Sequence, residues 1–245
     1  MNCYQEVKFD KEYYENYKHT ITKGTKPLYY RFWVRYLRKR LPSGRILDAG
    51  CGHGFFLKCA EKYYETFGTD ISMYGIDQAK RISSKSYLQV GNVYKCGYKD
   101  GVFDVVINFD VLEHLEKPVN ALREYNRILK IGGLLIISVP NVHSIGKKWK
   151  KNKWFGYQDK THQMLISNDQ WINLLEQNGF DINDIFYDGL WDSPYCNVLP
   201  TLPQHLIFKI PVAILFWLGY KFPQKFGENI CIVGVKKLKV GLHEL

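Results

Sequence analysis

Three glycines at alternate positions, Gly50, Gly52 and Gly54, follow an acid in the segment Asp48-Ala49-Gly50-Cys51-Gly52-His53-Gly54. Glycine allows left-handed backbone and close approach of the main chain to a ligand. A helix starting beyond such a turn offers unpaired amide N–H groups. The spacing is G-x-G-x-G, not the G-x-G-x-x-G of dinucleotide loops. Asp48, two residues before the first glycine, would repel a pyrophosphate and suits a ligand bearing ammonium and sulfonium charge. Taken alone, the cluster is also compatible with a plain tight turn between strand and helix. Asp70 lies 22 residues beyond Asp48, at the end of the next apolar run. A carboxylate there can accept from both hydroxyls of a ribose or cap the helix that follows.

A second group of reactive side chains lies further on. Glu113 and His114 follow the apolar run Phe103–Phe109, and His162 sits in DKTHQMLIS. Histidine titrates near neutral pH, so His114 or His162 could take a proton from a nucleophile. The alternative for His114 is that the Glu-His pair orders its loop. His143 is a weaker candidate. No metal site is expected, because Asp110 with Glu113 falls short of a clustered carboxylate set. The six cysteines include no C-x-x-C pair or zinc spacing, which leads us to expect reduced thiols.

The elements that must position these residues alternate. Arg45–Ala49, Thr66–Ile71, Tyr87–Val90, Phe103–Phe109, Leu134–Val139, Phe180–Tyr187 and Ile230–Val235 read as strands. Phe55–Tyr64, Ile76–Ile82, Val119–Leu129 and Asn168–Asn178 read as helices, the third of them closed by Gly132-Gly133. Alternating strands and helices predict an α/β fold, with a doubly wound, seven-stranded, mostly parallel sheet covered on both faces. An N-terminal helical cap is expected over residues 1–44, followed by a main domain over 45–245.

Five ordered motifs between residues 45 and 141 carry a resemblance. ILDAGCGHGFFL, GTDIS, QVGNVY, FDVVINFDVLEHLEKP and LKIGGLLIISVPN resemble, in order and interval, those of class I S-adenosylmethionine-dependent methyltransferases. The likeness is to the group similar to ubiquinone-biosynthesis and other small-molecule methyltransferases. It implies S-adenosylmethionine as cofactor, with Gly50, Cys51 and Gly52 in the loop against its methionine portion and Asp48 beside it. Asp70 would bind the ribose and Ile71 the adenine. Asn92 and Val93 would face the adenine, with Asn92 replacing the commoner Asp. Asn108 would sit near the sulfonium, and Tyr14 or its neighbour Tyr13 would close over the methionine end.

Composition bounds the acceptor. The formal charge is +10, which favours anionic partners. Residues 147–154, KKWKKNKW, interleave lysine with tryptophan, a pattern suited to phosphate, anionic lipid or single-stranded nucleic acid. Between the last two strands, residues 190–229 form an insertion containing the apolar run 206–220, too short to span a bilayer but suited to a lid or an interfacial helix. A small, hydrophobic or glycolipid-like acceptor methylated on oxygen is the leading expectation, with an anionic membrane surface as a partner. A cytoplasmic chain, peripheral to the membrane, would fit this reading. RNA or protein methylation is the alternative; nucleic acid is disfavoured because no RNA-binding module is seen, and the lack of an N-P-P-Y-type motif after the fourth strand disfavours adenine-N6 or glutamine-amide methylation. An accessory subunit that binds cofactor without turnover is a third reading. No obligate protein partner is indicated.

Overall fold

A computed structural model describes residues 9, 11–15, 26–196 and 200–238. The elements are α1 (Lys26–Arg38), β1 (Arg45–Ala49), α2 (Phe55–Ala60), β2 (Glu65–Asp70), α3 (Met73–Ile82), β3 (Tyr87–Val90), β4 (Phe103–Phe109), α4 (Pro118–Ile128), β5 (Leu129–Pro140), α5 (Ile145–Lys150), α6 (Phe155–Gln158), α7 (Asn168–Gln177), β6 (Phe180–Tyr187), α8 (Thr201–Gln204), α9 (Ile210–Leu218) and β7 (Asn229–Lys236). A π-helical turn, His205–Lys209, joins α8 to α9, so residues 201–218 form one continuous helix. Residues 11–15 form a helical turn.

The seven strands lie in the order β3-β2-β1-β4-β5-β7-β6. All neighbouring pairs are parallel except those made by β7, which runs antiparallel to β5 and β6. β1, β4 and most of β5 are buried along almost their whole length, as continuous Val/Ile/Leu runs require when helices cover both faces. One face packs α4 and α7 through Tyr125, Ile128, Trp171 and Leu175. The other packs α1 and α2 through Trp33, Leu37, Phe56 and Leu57.

Several boundaries differ from the sequence expectation, among them the end of α2 at Ala60 rather than Tyr64. The α4 helix ends at Ile128 and β5 begins at once, so Gly132-Gly133 fall inside the strand, at a register shift against β4. Leu129 is already fully buried and pairs with Phe103, so tertiary burial overrides the glycine stop signal. α3 starts at Met73, three residues early, because Ser72 caps it by accepting from the Gly75 amide at 3.2 Å. The apolar helix starts at Thr201, not Leu206, and its 18 residues are long and apolar enough to cross a membrane by length and composition.

Candidate functional site

The winding of the sheet reverses between β1 and β4, and a cleft of about 1080 Å³, open to solvent on one side, lies there at the carboxyl ends of the strands. Asp48, Gly50, Cys51, Gly52, Asp70, Ile71, Asn92, Val93 and Tyr14 all line it. At Gly50 φ is +87° and a Cβ would stand 2.4 Å from a Val111 methyl, so only glycine fits.

The Asp70 carboxylate accepts from the Gly52 amide at 2.8 Å, the Ser72 amide at 2.9 Å and the Tyr14 hydroxyl at 3.0 Å. It therefore braces the glycine turn and the start of α3 together. Burial raises its pKa, and the amides of Ser72 and Gly52 oppose the rise. Burial also pushes the Tyr14 phenol well up, with the Asp70 charge adding to it. Asp48 makes no side-chain hydrogen bond among the described residues, and burial followed by the Asp70 charge pushes it up to about 8. Two buried acids, one without a donor, at the mouth of a glycine turn fit a cationic ligand. The Asn92 side-chain oxygen is taken by the Tyr94 amide at 2.9 Å, which leaves its NH₂ for an adenine edge.

Opposite the turn stands His114, which lines the same cleft. The Glu113 carbonyl accepts from the Gln163 and Met164 amides at 2.7 and 2.9 Å, pinning loop 159–164 to the turn that carries His114. This brings the His162 ring to 4.6 Å from the His114 ring, although His162 does not itself line the cleft. Burial opposes ionisation of Asp159, but hydrogen bonds from the Thr161 hydroxyl and amide hold its carboxyl below the ordinary value. The Thr161 hydroxyl donates to Asp159 at 2.5 Å and lies 2.7 Å from His114 Nδ1. With its proton committed to Asp159, Thr161 accepts from Nδ1–H, which fixes the tautomer with an open lone pair on Nε2. Burial first, and His162 second, push the His114 pKa down to about 4, so the imidazole is neutral at pH 7. His162 makes the same kind of contact through Nδ1, to the Gly156 carbonyl at 2.7 Å.

Where the sequence predicted no metal site, the ligating atoms of Glu113, His114 and His162 lie within 4.8 Å of one another. Spacing along the chain could not show this, because the loop contact that brings in His162 is tertiary. Burial, then Asp110, holds the Glu113 carboxyl well above the usual carboxylate range, and its Oε2 has no hydrogen-bond partner among the described residues. The trio could hold a divalent cation.

Asn108 lies away from the place by the sulfonium that the strand-end motif implies. It is fully buried beneath the cleft and does not line it; its NH₂ donates to the Ala49 carbonyl and the Tyr125 hydroxyl, both at 2.8 Å. The next two residues, Phe109 and Asp110, line the cleft instead. Side chains alternate along a strand, and Asn108 points to the α4 face. Asp110 has φ +57°, uncommon for a residue other than glycine. It is held there by Lys26 Nζ at 2.9 Å and Ser138 Oγ at 3.0 Å. The sequence motifs give no role to Lys26 and weigh Asp110 only as a metal ligand.

A second, shallow cavity shares Lys26 with the first and is walled by Tyr29, Trp191, Val212, Ala213 and Phe216, with Asp188 and Lys209 as polar members. Its roof is α9, whose Phe216 stacks on Tyr29 at 5.3 Å and meets Phe32 at 4.4 Å. The segment that leads to this roof is tied down by Glu228, fully buried, which accepts from Ser144 Oγ at 3.0 Å, Trp154 Nε1 at 2.8 Å and Tyr195 Oη at 2.6 Å. Nothing in the sequence pattern singled out Glu228, whose three donors come from three separate segments.

This fold and crevice define a class, the α/β proteins that bind a nucleoside-bearing cofactor at the switch point of a seven-stranded sheet. The profile of the methyltransferase domain family matches residues 23–184, and the chain belongs to that family of enzymes. A methyltransferase of Schizosaccharomyces pombe is 33% identical over 158 residues, covering 58% of this chain and 52% of that one. The ubiquinone biosynthesis O-methyltransferase of Cereibacter sphaeroides is 28% identical over 151 residues, covering 56% and 60%. The chain thus spans little more than half the length of these relatives. The magnesium protoporphyrin IX methyltransferase of Synechocystis PCC 6803, solved with bound S-adenosylhomocysteine, shares the fold with a TM-score of 0.67 at 15% identity, covering 97% of this chain and 100% of that one.

Proposed function

We propose that the chain transfers a methyl group from S-adenosylmethionine to a hydroxyl oxygen of a small, largely apolar acceptor held under α9. The observation that carries this reading is the pair of abutting cavities, one flanked by glycines and acids, the other walled by aromatic and aliphatic side chains. The cofactor supplies an electrophilic methyl carbon on a cationic sulfur. Asp48 and Asp70 counter its positive charge, and the Gly50–Gly54 turn approaches it closely. Ile71 and Val93 offer apolar contact for the adenine.

The acceptor oxygen forms the new bond to the methyl carbon while the carbon–sulfur bond breaks, its electron pair staying on sulfur. His114 Nε2 takes the hydroxyl proton, with Thr161 and Asp159 holding the tautomer. Lys209 gives the acceptor cavity a cationic group beyond the Lys26–Asp110 pair, suited to a carboxylate or phosphate on an otherwise apolar molecule. Exclusion of water by α9 and the N-terminal aromatics favours the displacement. The ubiquinone-biosynthesis relative, named as an O-methyltransferase, supports oxygen as the atom.

Incubation of a cell extract with methyl-tritiated cofactor and the protein tests this. Label is expected in the organic-soluble fraction; label confined to RNA or protein would contradict the acceptor class. His114→Asn should lower kcat about 100-fold or more and leave cofactor Kd unchanged. Because the His114 pKa lies at about 4, the base is already neutral above that value, and the wild-type kcat at saturating cofactor should stay flat from pH 5.5 to pH 8.

A further inference from the structure

The long helix 201–218 turns its two faces to different surroundings. Phe216 is buried against α1, and the buried Gln204 accepts from the Tyr195 and Cys196 amides at 2.7 and 3.0 Å. Arg35 donates to the Trp217 carbonyl. The opposite side is apolar and open: Leu202, Leu206, Ile210, Ile214 and Leu218, at steps of four, are 69%, 55%, 43%, 43% and 60% exposed. Steps of four place them in one row along the helix, and only 11% of the helix is buried. A soluble domain rarely leaves such a row uncovered. Length and composition alone would let this helix cross a bilayer. Its fixed contacts at both ends, Gln204 and Phe216, hold it tangent to the domain instead, so it can lie in a surface and not through it.

The protein also carries a basic surface. Lys147, Lys148, Lys151 and Lys225 line one open hollow of about 920 Å³, and none of the four makes an ion pair among the described residues. Trp149, on the same short helix as Lys147 and Lys148, connects to the long helix through two ring contacts, Trp149 to Tyr195 at 5.8 Å and Tyr195 to Phe208 at 5.4 Å. Trp149 and Tyr220, 48% and 52% exposed, supply the amphipathic rings favoured at headgroup depth. We infer that helix 201–218 docks this protein on a bilayer surface with anionic headgroups, its leucine and isoleucine row entering the acyl boundary and the Lys147–Lys225 hollow facing lipid phosphates. Docked this way, α9 would form both the membrane contact and the roof of the second cavity, a direct route for an apolar acceptor. The docking itself does not depend on which acceptor is methylated.

Vesicle flotation tests it, with phosphatidylcholine mixed with phosphatidylglycerol in one arm and phosphatidylcholine alone in the other. Wild type should float with the mixed vesicles and much less with the neutral ones. The double variant Leu206→Glu, Ile210→Glu should lose flotation in both arms. The double variant Lys148→Glu, Lys151→Glu should bind mixed vesicles at least about tenfold more weakly. Far-ultraviolet circular dichroism and cofactor titration of each variant should match wild type, which separates lost docking from lost folding and from failure of the methyl-transfer reading. Wild type that stays unbound to mixed vesicles, or a Leu206, Ile210 variant that floats as wild type does, would overturn the inference. So would a dimer in light scattering that this variant disrupts, since the row would then cover a second copy.

Discussion

On the cofactor side of the cleft, Asp70 meets Gly52 and Ser72, 18 and 2 residues away, and Tyr14, 56 residues away. On the acceptor side, Glu228 meets Ser144, Trp154 and Tyr195 across 84, 74 and 33 residues. Apart from Tyr14, the contacts that brace the first wall come from one β-α-β stretch and the helix start beyond it, so its geometry follows largely from local glycine and capping chemistry. The second is gathered from three segments around one buried acid and exists only once the sheet is complete. Local construction makes a site rigid and readable; gathered construction lets the acceptor wall vary on an unchanged cofactor wall.

Substitutions at the two anchors should separate the walls. Asp70→Ala removes a charged acceptor for the Gly52 and Ser72 amides and for the ribose, and should weaken cofactor binding about 100-fold, read by calorimetry, while thermal unfolding still shows a folded protein. Equal binding by this variant would break the contrast at its stronger end. Glu228→Ala strands three buried donors and should cost about 3 kcal/mol of stability, read by denaturant unfolding. At a temperature where it remains folded it should raise acceptor KM about tenfold, with cofactor Kd kept within about threefold. Loss of cofactor binding in parallel would mean that the walls are one unit. The smallest effect belongs to Tyr14→Phe. In this structure the Tyr14 hydroxyl occupies one acceptor position of Asp70, which a ribose would need, so the variant should bind cofactor as tightly as wild type or up to about threefold more tightly. Weaker binding would show that the hydroxyl touches the cofactor directly.

Legibility in the sequence follows the same division. β3, β4 and β6 stand where the apolar runs put them, and the glycine turn, Asp70, Ile71, Asn92 and Val93 all reach the cleft. Each was readable because its role is set by backbone near it in the chain. Asn108 was misplaced by one position, since a motif gives the strand end but not which side chain faces the ligand. Lys26 and Glu228 gave no signal, because a lysine and a glutamate become informative only when burial and distant partners are known. Tyr13 and Tyr14 fall within the described helical turn, whereas the rest of the expected N-terminal helix between residues 16 and 25 lies outside the described residues.

The claim on which the rest depends is that two buried acids at the Gly50–Gly54 turn receive a cation. Asp48, raised to about 8 by burial and by Asp70, is mostly protonated at pH 7 before the ligand arrives, and a cationic ligand favours its ionised form. Calorimetric titration with S-adenosylmethionine at pH 7, in buffers of different ionisation heat, should therefore show binding coupled to release of roughly one proton. Binding should tighten as pH rises toward 8, and the release should vanish in Asp48→Asn. No binding, or binding that releases no proton and is indifferent to Asp48→Asn, would contradict this account.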